Sequence, residues 1–198
     1  MPMQRIDDCH SVSLNEVKIN DLFWDLNKEL RKRLKKQVPK DFKIDLYVVG
    51  GACIVVTLHS RESTMDIDAL WQKSGVIQDA INAVGDSNGL AHTWCNDNFR
   101  MTASYTDKII LYSRLYKEFD RLRVYMAKPE LLLAMKLISF RVTKPQDIDD
   151  AKELVKYLRN NGIDITPAYL YGLVTKFYGD CNRLSDVSRL FIDNIEYR

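Results

Sequence analysis

The sequence has 198 residues, 46% of them hydrophobic, and a formal net charge of +2 at pH 7, which favours no class of partner. A chain of this size holds one large domain or two small ones around a substantial apolar core. No apolar run approaches the ~20 residues of a membrane span, and the first residues lack the apolar segment of a secretory signal, so we expect a cytoplasmic protein without membrane contact.

The cysteines are far apart and form no paired motif, so we expect free thiols in a reducing compartment rather than disulfides or a zinc site. They are Cys9, Cys53, Cys95 and Cys181.

The first predicted element is an amphipathic helix over about residues 14 to 37, which ends before Pro39. Its apolar positions recur at helical spacing, at Leu22, Phe23, Leu26, Leu30 and Leu34. The basic residues of this region are Lys28, Arg31, Lys32, Arg33, Lys35, Lys36, Lys40 and Lys43. They indicate either an ordinary solvated surface or a patch that follows the phosphates of a nucleic acid.

The middle of the chain predicts alternating helices and strands. We expect strands over 44–50 and 66–71, with a short helix at 51–58 between them. A helix over 76–85 is predicted to end at Gly85. Two further strands are expected over 108–116 and 121–127, and the segment around 94–99 has no clear pattern.

From Pro129 onward the pattern is helical, with predicted helices over 129–142, 146–162, 166–179 and 184–195. Pro129 and Pro167 suit the first turn of a helix, and Thr166 is a good N-cap. Gly162 and Gly179 are natural helix ends. The chain therefore divides into an α/β portion, 1–128, and a helical portion, 129–198. No flexible linker separates the two, so we expect them to pack together.

Two acidic residues, Asp66 and Asp68, lie two positions apart in a predicted strand and therefore project from one face. Met65, Ile67 and Ala69 are then expected to point the other way, into a core. Two close carboxylates are costly unless a cation lies between them. Carboxylates combined with water and phosphate oxygens are the ligands that Mg²⁺ prefers. The pattern predicts a Mg²⁺ site at Asp66 and Asp68.

A glycine pair, Gly50 and Gly51, follows the first strand and precedes the short helix. Glycine allows backbone to approach a ligand closely, and the start of a helix presents free N–H groups to phosphate. The order of strand, glycine turn, helix and two-aspartate strand therefore predicts a phosphate-binding turn beside a metal site.

These motifs resemble the nucleotidyltransferase superfamily that includes DNA polymerase beta, and within it the branch of AbiEii-type toxins and their uncharacterised relatives. The matching residues of the first block are Gly50, Gly51, Arg61, Thr64, Asp66 and Asp68. Those of a second, downstream block are Lys136, Arg141, Asp147 and Asp150. The segment 89–99 also resembles one common between the two blocks.

The resemblance implies an α+β fold: a nucleotidyltransferase-like mixed sheet with flanking helices, followed by the helical portion. It implies Mg²⁺-dependent transfer of a nucleoside monophosphate from an NTP to an acceptor. Asp66 and Asp68 would hold the metal and would be catalytic together with Lys136, which would contact phosphate, and Asp147. The implied nucleotide-binding residues are Gly50, Gly51, Arg61, Thr64 and Arg141. Of these, Arg61 and Thr64 would shape the loop before the metal strand.

Several of these residues also have plain structural interpretations. Lys136 suits an exposed position on an otherwise apolar helix, and Asp147 and Asp150 suit the dipole of a helix N-terminus, where Arg141 could pair with either. Trp94 and Phe99 are expected in the core rather than as stacking platforms.

The superfamily's usual third carboxylate is missing from the predicted strand 121–127. The candidate replacements are Asp97, Asp120, Glu130 and Asp147. The glycine pair also lacks the serine found beside many such turns.

Three functions remain open on the sequence alone. The first is an enzyme, with a toxin that modifies tRNA, another RNA or a protein hydroxyl as one form of it. The second is a nucleotide-binding or regulatory domain that lost turnover. The third is a toxin–antitoxin interaction module, with an antitoxin as partner. Its surface would be the tail residues Val187, Leu190, Phe191 and Ile195, although we expect these in the core.

Overall fold

A computed structural model describes residues 12–34, 38–39, 41–72, 74–140 and 145–195. The first helix, α1, spans Glu16–Leu34, and its predicted continuation over 35–37 lies outside the described residues. One stripe of α1 is fully buried because its apolar residues recur three and four positions apart. Ile19, Leu22, Phe23, Leu26 and Leu30 have no exposed surface.

The described residues form one mixed five-stranded sheet in the order β3-β2-β1-β5-β4. The strands are β1 Ile44–Val48, β2 Ile67–Trp71, β3 Cys95–Asn96, β4 Ser113–Glu118 and β5 Leu122–Ala127. The central strand β1 pairs in parallel with β5 and antiparallel with β2. A mixed sheet with flanking helices confirms the predicted α+β class.

Seven α-helices surround the sheet in the described part of the chain. In addition to α1 these are α2 Gly50–Cys53, α3 Gly75–Asn88, α4 Pro129–Ser139, α5 Pro145–Asn160, α6 Pro167–Tyr178 and α7 Asp186–Asp193. Helix α2 continues directly as a π-helix, Ile54–Leu58. None of the helices that the structure describes combines the length and the apolar character that a bilayer crossing requires.

The two faces of the sheet differ in character. On one face Leu46 and Val48 of β1 lie beside Val124 and Met126 of β5, and all four are fully buried. On the other face Asp45 lies beside Arg123, and Tyr47 lies beside Tyr125. The second face is only partly covered, and we call it the open face.

Helices after residue 128 contact elements that precede it. Its first helix, α4, is buried on nearly all sides. The Thr106 hydroxyl donates to the Phe177 carbonyl at 3.1 Å, and the Tyr178 hydroxyl donates to the Ser104 carbonyl at 2.6 Å. These bonds fasten the end of α6 to the segment 98–112, which lies over the open face.

Several helix boundaries confirm the predicted punctuation. Pro129 and Pro167 occupy first helical turns, and the Thr166 side chain accepts a bond from the Tyr169 amide as an N-cap. Gly162 and Gly179 both have positive φ angles just after their helices.

Three predictions were wrong. Helix α3 does not end at Gly85, which is buried within it, but at Gly89, whose φ of 64° forms a left-handed cap. The predicted strand over 108–116 begins only at Ser113, because Asp107–Ile109 form a 3₁₀ turn. Met65 precedes β2 and is 52% exposed, whereas Ile67 and Ala69 are buried as expected.

Candidate functional site

A cleft of about 550 Å³ opens beside the end of β1 and the start of β2. It brings together residues from both sequence blocks, which are far apart along the chain. The polar and glycine residues among those that line it are Gly50, Asp66, Asp68, Asn96, Asn98, Thr102, Ser104, Lys136, Ser139 and Asp147.

The two predicted metal-binding aspartates lie on the same side of the sheet. Tyr47 pairs with Leu70, so Leu70 and Asp68, two positions earlier, belong to the open face. Asp66 lies immediately before the strand and lines the same cleft as Asp68. Alternation within β2 accounts for the side on which Asp68 lies, whereas Asp66 precedes the strand and reaches the same cleft from the loop.

Gly50 lies directly against one of these carboxylates. Its φ is +65°, and a Cβ at this position would come within 2.9 Å of Asp68 Oδ2. Both the backbone conformation and the close approach require glycine. The turn after β1 therefore packs directly against Asp68 of β2.

Gly51 faces a different set of side chains. A Cβ here would come within 2.7 Å of Thr64 Oγ1 and 3.2 Å of Arg61 Nη1. Arg61 Nε also donates to the Ser63 carbonyl at 2.7 Å. Arg61 and Thr64 thus pack behind the glycine turn and are not among the residues that line the cleft.

Lys136 is the centre of a buried ion cluster. Its Nζ lies 2.8 Å from Asp147 Oδ1 and 2.7 Å from Asp150 Oδ2, and Arg61 Nη1 lies 3.5 Å from Asp150 Oδ2. Only 14% of the Lys136 side chain is exposed. The interpretation of Lys136 as an exposed lysine is therefore wrong. The cluster instead ties the second motif block to the loop before β2.

Asn96 is a site residue that the sequence did not single out. It pairs with Asp68 across β2 and β3, and its Nδ2 donates to Asp66 Oδ2 at 3.3 Å. Its own Oδ1 accepts a bond from the Asn98 amide at 3.0 Å. In the sequence, only the family resemblance of the segment 89–99 points to the region that contains Asn96. A two-residue strand is too short to show the alternation that would have placed Asn96 beside the acids.

Of the four acids considered as a third carboxylate, only Asp147 lines the cleft together with Asp66 and Asp68. Asp97 lies 3.0 Å from Arg100 Nε, and Asp120 pairs with Arg31 at the turn between β4 and β5. Glu130 lies in the first turn of α4, away from the cleft lining. Strand β5 presents Arg123 and Tyr125 to the open face, so this strand does not supply the third carboxylate.

The donor set of the cleft fits Mg²⁺. No group of three or more His, Cys, Asp or Glu side chains suited to a metal occurs among the described residues. Mg²⁺, however, is commonly held by one or two carboxylates plus water and substrate phosphates. Asp66 and Asp68 provide that number, and Gly50 allows the backbone of the turn to pack directly against Asp68.

The negative field of these acids extends to the neighbouring strand. Burial raises the pKa of the Cys95 thiol, and the charges of Asp68, Asp66 and Asp97 raise it further. Burial likewise raises the pKa of Cys53 to about 12. Cys53, Cys95 and Cys181 are all free thiols, as predicted, while Cys9 lies outside the described residues.

Some predicted residues are not described or are partly neutralised. Arg141, Lys35, Lys36 and Lys40 lie outside the described residues. Within α1, Lys28 pairs with Asp25, and both Lys32 and Arg33 pair with Glu29. Trp94 and Phe99 are buried, as expected for core residues, and so are Phe191 and Ile195. Leu190 is 64% exposed.

A mixed sheet with flanking helices, and a two-aspartate strand facing a glycine turn, defines a nucleotidyltransferase-like domain. The comparison with known families agrees with this class. Residues 23–166 match the family model DUF6036, described as a nucleotidyltransferase of unknown function. Because the match covers more than half of the chain, the protein belongs to this family. No match was found among curated proteins or among solved structures.

Proposed function

We propose that the protein is a Mg²⁺-dependent nucleotidyltransferase that moves a nucleoside monophosphate from an NTP to a hydroxyl group of an RNA or a protein. The observation that carries this proposal is the shared cleft of Asp66 and Asp68, with Gly50 packed against Asp68. Membership of a nucleotidyltransferase family supports the same class of reaction.

The reaction requires a hydroxyl oxygen of the acceptor to attack the α-phosphorus of the NTP. The new bond joins that oxygen to phosphorus, the bond to the β-phosphate breaks, and pyrophosphate leaves. Mg²⁺ held by Asp66 and Asp68 would neutralise the triphosphate and align the attacking oxygen. The amides after β1 would bind phosphate oxygens at the turn that Gly50 keeps open.

The second block has a positioning role in this proposal. Asp147 is the acid of the helical portion that shares the cleft, which makes it the candidate to accept the proton of the acceptor hydroxyl. Lys136 holds Asp147 in place and is near enough to the cleft to contact phosphate as well. A compact ammonium group suits both roles.

A specific observation favours a second candidate function, nucleotide binding without turnover. Among the described residues, no third acid lies with Asp66 and Asp68 in a group that suits a metal. Asp147 is also engaged by Lys136 at 2.8 Å. A domain with this site would sense nucleotide, or would serve as a toxin–antitoxin module, instead of modifying an acceptor. An AbiEii-like toxin activity would require transfer of a nucleotide, so it goes with the first candidate function, the enzyme.

The test incubates the protein with Mg²⁺, each α-labelled NTP, and either total RNA or cell protein. Labelled acceptor that disappears in Asp66→Asn and Asp68→Asn supports the enzyme. The control is Asp86→Asn, which changes an acid that is 71% exposed on α3. Nucleotide bound with Mg²⁺ but never transferred supports the second candidate. Transfer that survives both cleft substitutions contradicts the proposed site.

A further inference from the structure

A second groove, of about 660 Å³, lies on the open face of the sheet at the opposite ends of the same strands. The cleft lies at the end of β1 and the start of β2, whereas this groove lies at the start of β1 and the end of β2. Asp45, Tyr47, Leu70 and Trp71 are among the residues that line it. Its size is within the range of small-molecule and nucleotide sites.

The groove and the cleft are neighbours on one surface. Asp68 in the cleft and Leu70 in the groove lie two residues apart on β2 and project from the same face. A single segment separates them, because Phe99 lines the cleft while Arg100 and Tyr105 line the groove. A molecule held in the groove therefore lies next to the cleft, on the other side of the segment that contains Phe99 and Arg100.

Aromatic side chains dominate the chemistry of the groove. Phe42, Tyr47 and Tyr105 line it, whereas Trp71 pairs with Leu46, is buried, and borders the groove only at the end of β2. Tyr47 is held in place by Tyr125, with the ring centroids 4.7 Å apart and the planes 17° from parallel. A fixed, partly exposed ring of this kind is a stacking surface that accepts any nucleobase.

Basic residues flank the aromatic ones. Lys43 and Arg100 line the groove, and so does Leu34, the last residue of α1. The final turn of α1 carries Arg31, Lys32 and Arg33. Arg31 pairs with Asp120 at 3.3 Å, and both side chains are more than half exposed, so this ion pair contributes little to stability. Phosphates of an incoming strand can replace this acid without a large cost.

We propose that this groove binds an unpaired nucleotide of an RNA strand, with the strand's backbone running along the basic end of α1. This inference rests on the proposed function. It selects RNA, and not a protein, as the acceptor of the nucleoside monophosphate. Aromatic rings interleaved with cations are the usual recognition surface for single-stranded nucleic acid. In this arrangement the basic end of α1 contacts the backbone of the RNA strand next to the groove.

The experiment measures RNA binding by fluorescence anisotropy in the absence of NTP, so that it is independent of transfer. Two labelled RNA hairpins are compared, one blunt and one with a short unpaired 3′ end. We expect the unpaired end to bind more tightly. Tyr47→Leu should weaken its binding by about tenfold, the order of effect that losing one base–aromatic stack produces.

The matched control is Tyr157→Leu, which changes another partly buried tyrosine on α5, away from the groove. A second variant, Lys43→Gln, should reduce the slope of log affinity against log salt by about 0.7, as for one lost phosphate contact on a single strand. This variant keeps the test informative if Tyr47→Leu is poorly folded by circular dichroism.

Equal binding of the two hairpins, or equal effects of Tyr47→Leu and Tyr157→Leu, would overturn the inference. Transfer of label to a protein with no RNA binding would also overturn it, while the proposed function would stand. Conversely, RNA binding that depends on Tyr47 and Lys43 supports the groove even if no NTP is ever turned over.

Discussion

Gly50 meets two requirements at one position. Its φ of +65° is unfavourable for any residue with a Cβ, and the space that a Cβ would take is already filled by Asp68 Oδ2 at 2.9 Å. Gly89 has nearly the same φ, +64°, but no atom within 4 Å of the position of its missing Cβ. Substitutions at Gly50 and Gly89 therefore distinguish the effect of backbone strain from the effect of contact with the Asp68 carboxylate.

We predict that Gly50→Ala and Gly89→Ala each lower the free energy of unfolding by about 1 kcal/mol or more, the cost of a left-handed residue with a side chain. Only Gly50→Ala should also weaken Mg²⁺-dependent nucleotide binding, because it displaces Asp68. Urea unfolding and calorimetric titration with a non-hydrolysable NTP measure the two effects. Normal nucleotide affinity in Gly50→Ala would remove this turn from the site.

Asn96 supports Asp66 from the neighbouring strand by a hydrogen bond of 3.3 Å. Groups that orient a metal ligand affect metal affinity even though they do not touch the ion. We predict that Asn96→Ala raises the Mg²⁺ concentration needed for half-maximal nucleotide binding by about tenfold. Asn98→Ala is the control, because Asn98 lines the same cleft and contributes only its backbone amide to this network. Equal effects of the two substitutions would argue against a role for the Asn96 side chain.

At the scale of elements, the cluster around Lys136 joins α4 to α5 and, through Arg61, to the loop before β2. Both acids are more than nine-tenths buried. Removing one partner of a buried ion pair leaves an uncompensated charge, which costs about 3–5 kcal/mol. Replacing the entire cluster with neutral groups costs much less.

We therefore predict that Lys136→Met lowers the free energy of unfolding by about 3 kcal/mol. The triple variant Lys136→Met, Asp147→Asn, Asp150→Asn should recover a large part of that loss, because it removes the three buried charges of α4 and α5 together and leaves only Arg61, which is 24% exposed. Urea denaturation of the wild type and both variants measures the difference. A triple variant less stable than the single one would mean that the acids stabilise the fold through other partners.

The same elements show where sequence reasoning succeeds and where it stops. Alternation along β2 placed Asp68 on one face and Ile67 on the other, because a strand's period depends on local geometry alone. Gly85 was mistaken for a helix end because a glycine within a helix and a glycine after one look alike in sequence. Gly85 is buried against Trp94, where a Cβ would come within 3.1 Å of the indole, and that tertiary contact is not visible locally.

The sequence motifs point to the charged residues of the cleft but not to the contacts that these residues make. Two motif blocks identified Asp66, Asp68, Lys136 and Asp147, and the fold brings all four to one cleft. The bond from Asn96 to Asp66 depends on the pairing of β3 with β2, which no pattern in a two-residue strand specifies. The ion pairs of Lys136 likewise depend on how α4 packs against α5.

For the whole molecule, the relation between 1–128 and 129–198 decides how the protein unfolds. The two portions share a continuous core, and α4 is buried on nearly all sides between them. Ser188 on α7 donates to the Leu137 carbonyl of α4, and α6 holds the segment 98–112 over the open face. The buried apolar residues of both portions form one cluster, so we expect one cooperative unit.

All three tryptophans, Trp24, Trp71 and Trp94, precede residue 129, so tryptophan fluorescence reports on the first portion alone. Far-ultraviolet circular dichroism reports on helices of both portions. We predict that the two signals give superimposable urea unfolding curves, because loss of α4 exposes the core that the tryptophan-bearing elements share. Tyr178→Phe, which removes the bond to Ser104, should move both midpoints together to lower urea. Separate midpoints would show two domains that unfold independently and would contradict the single cooperative unit.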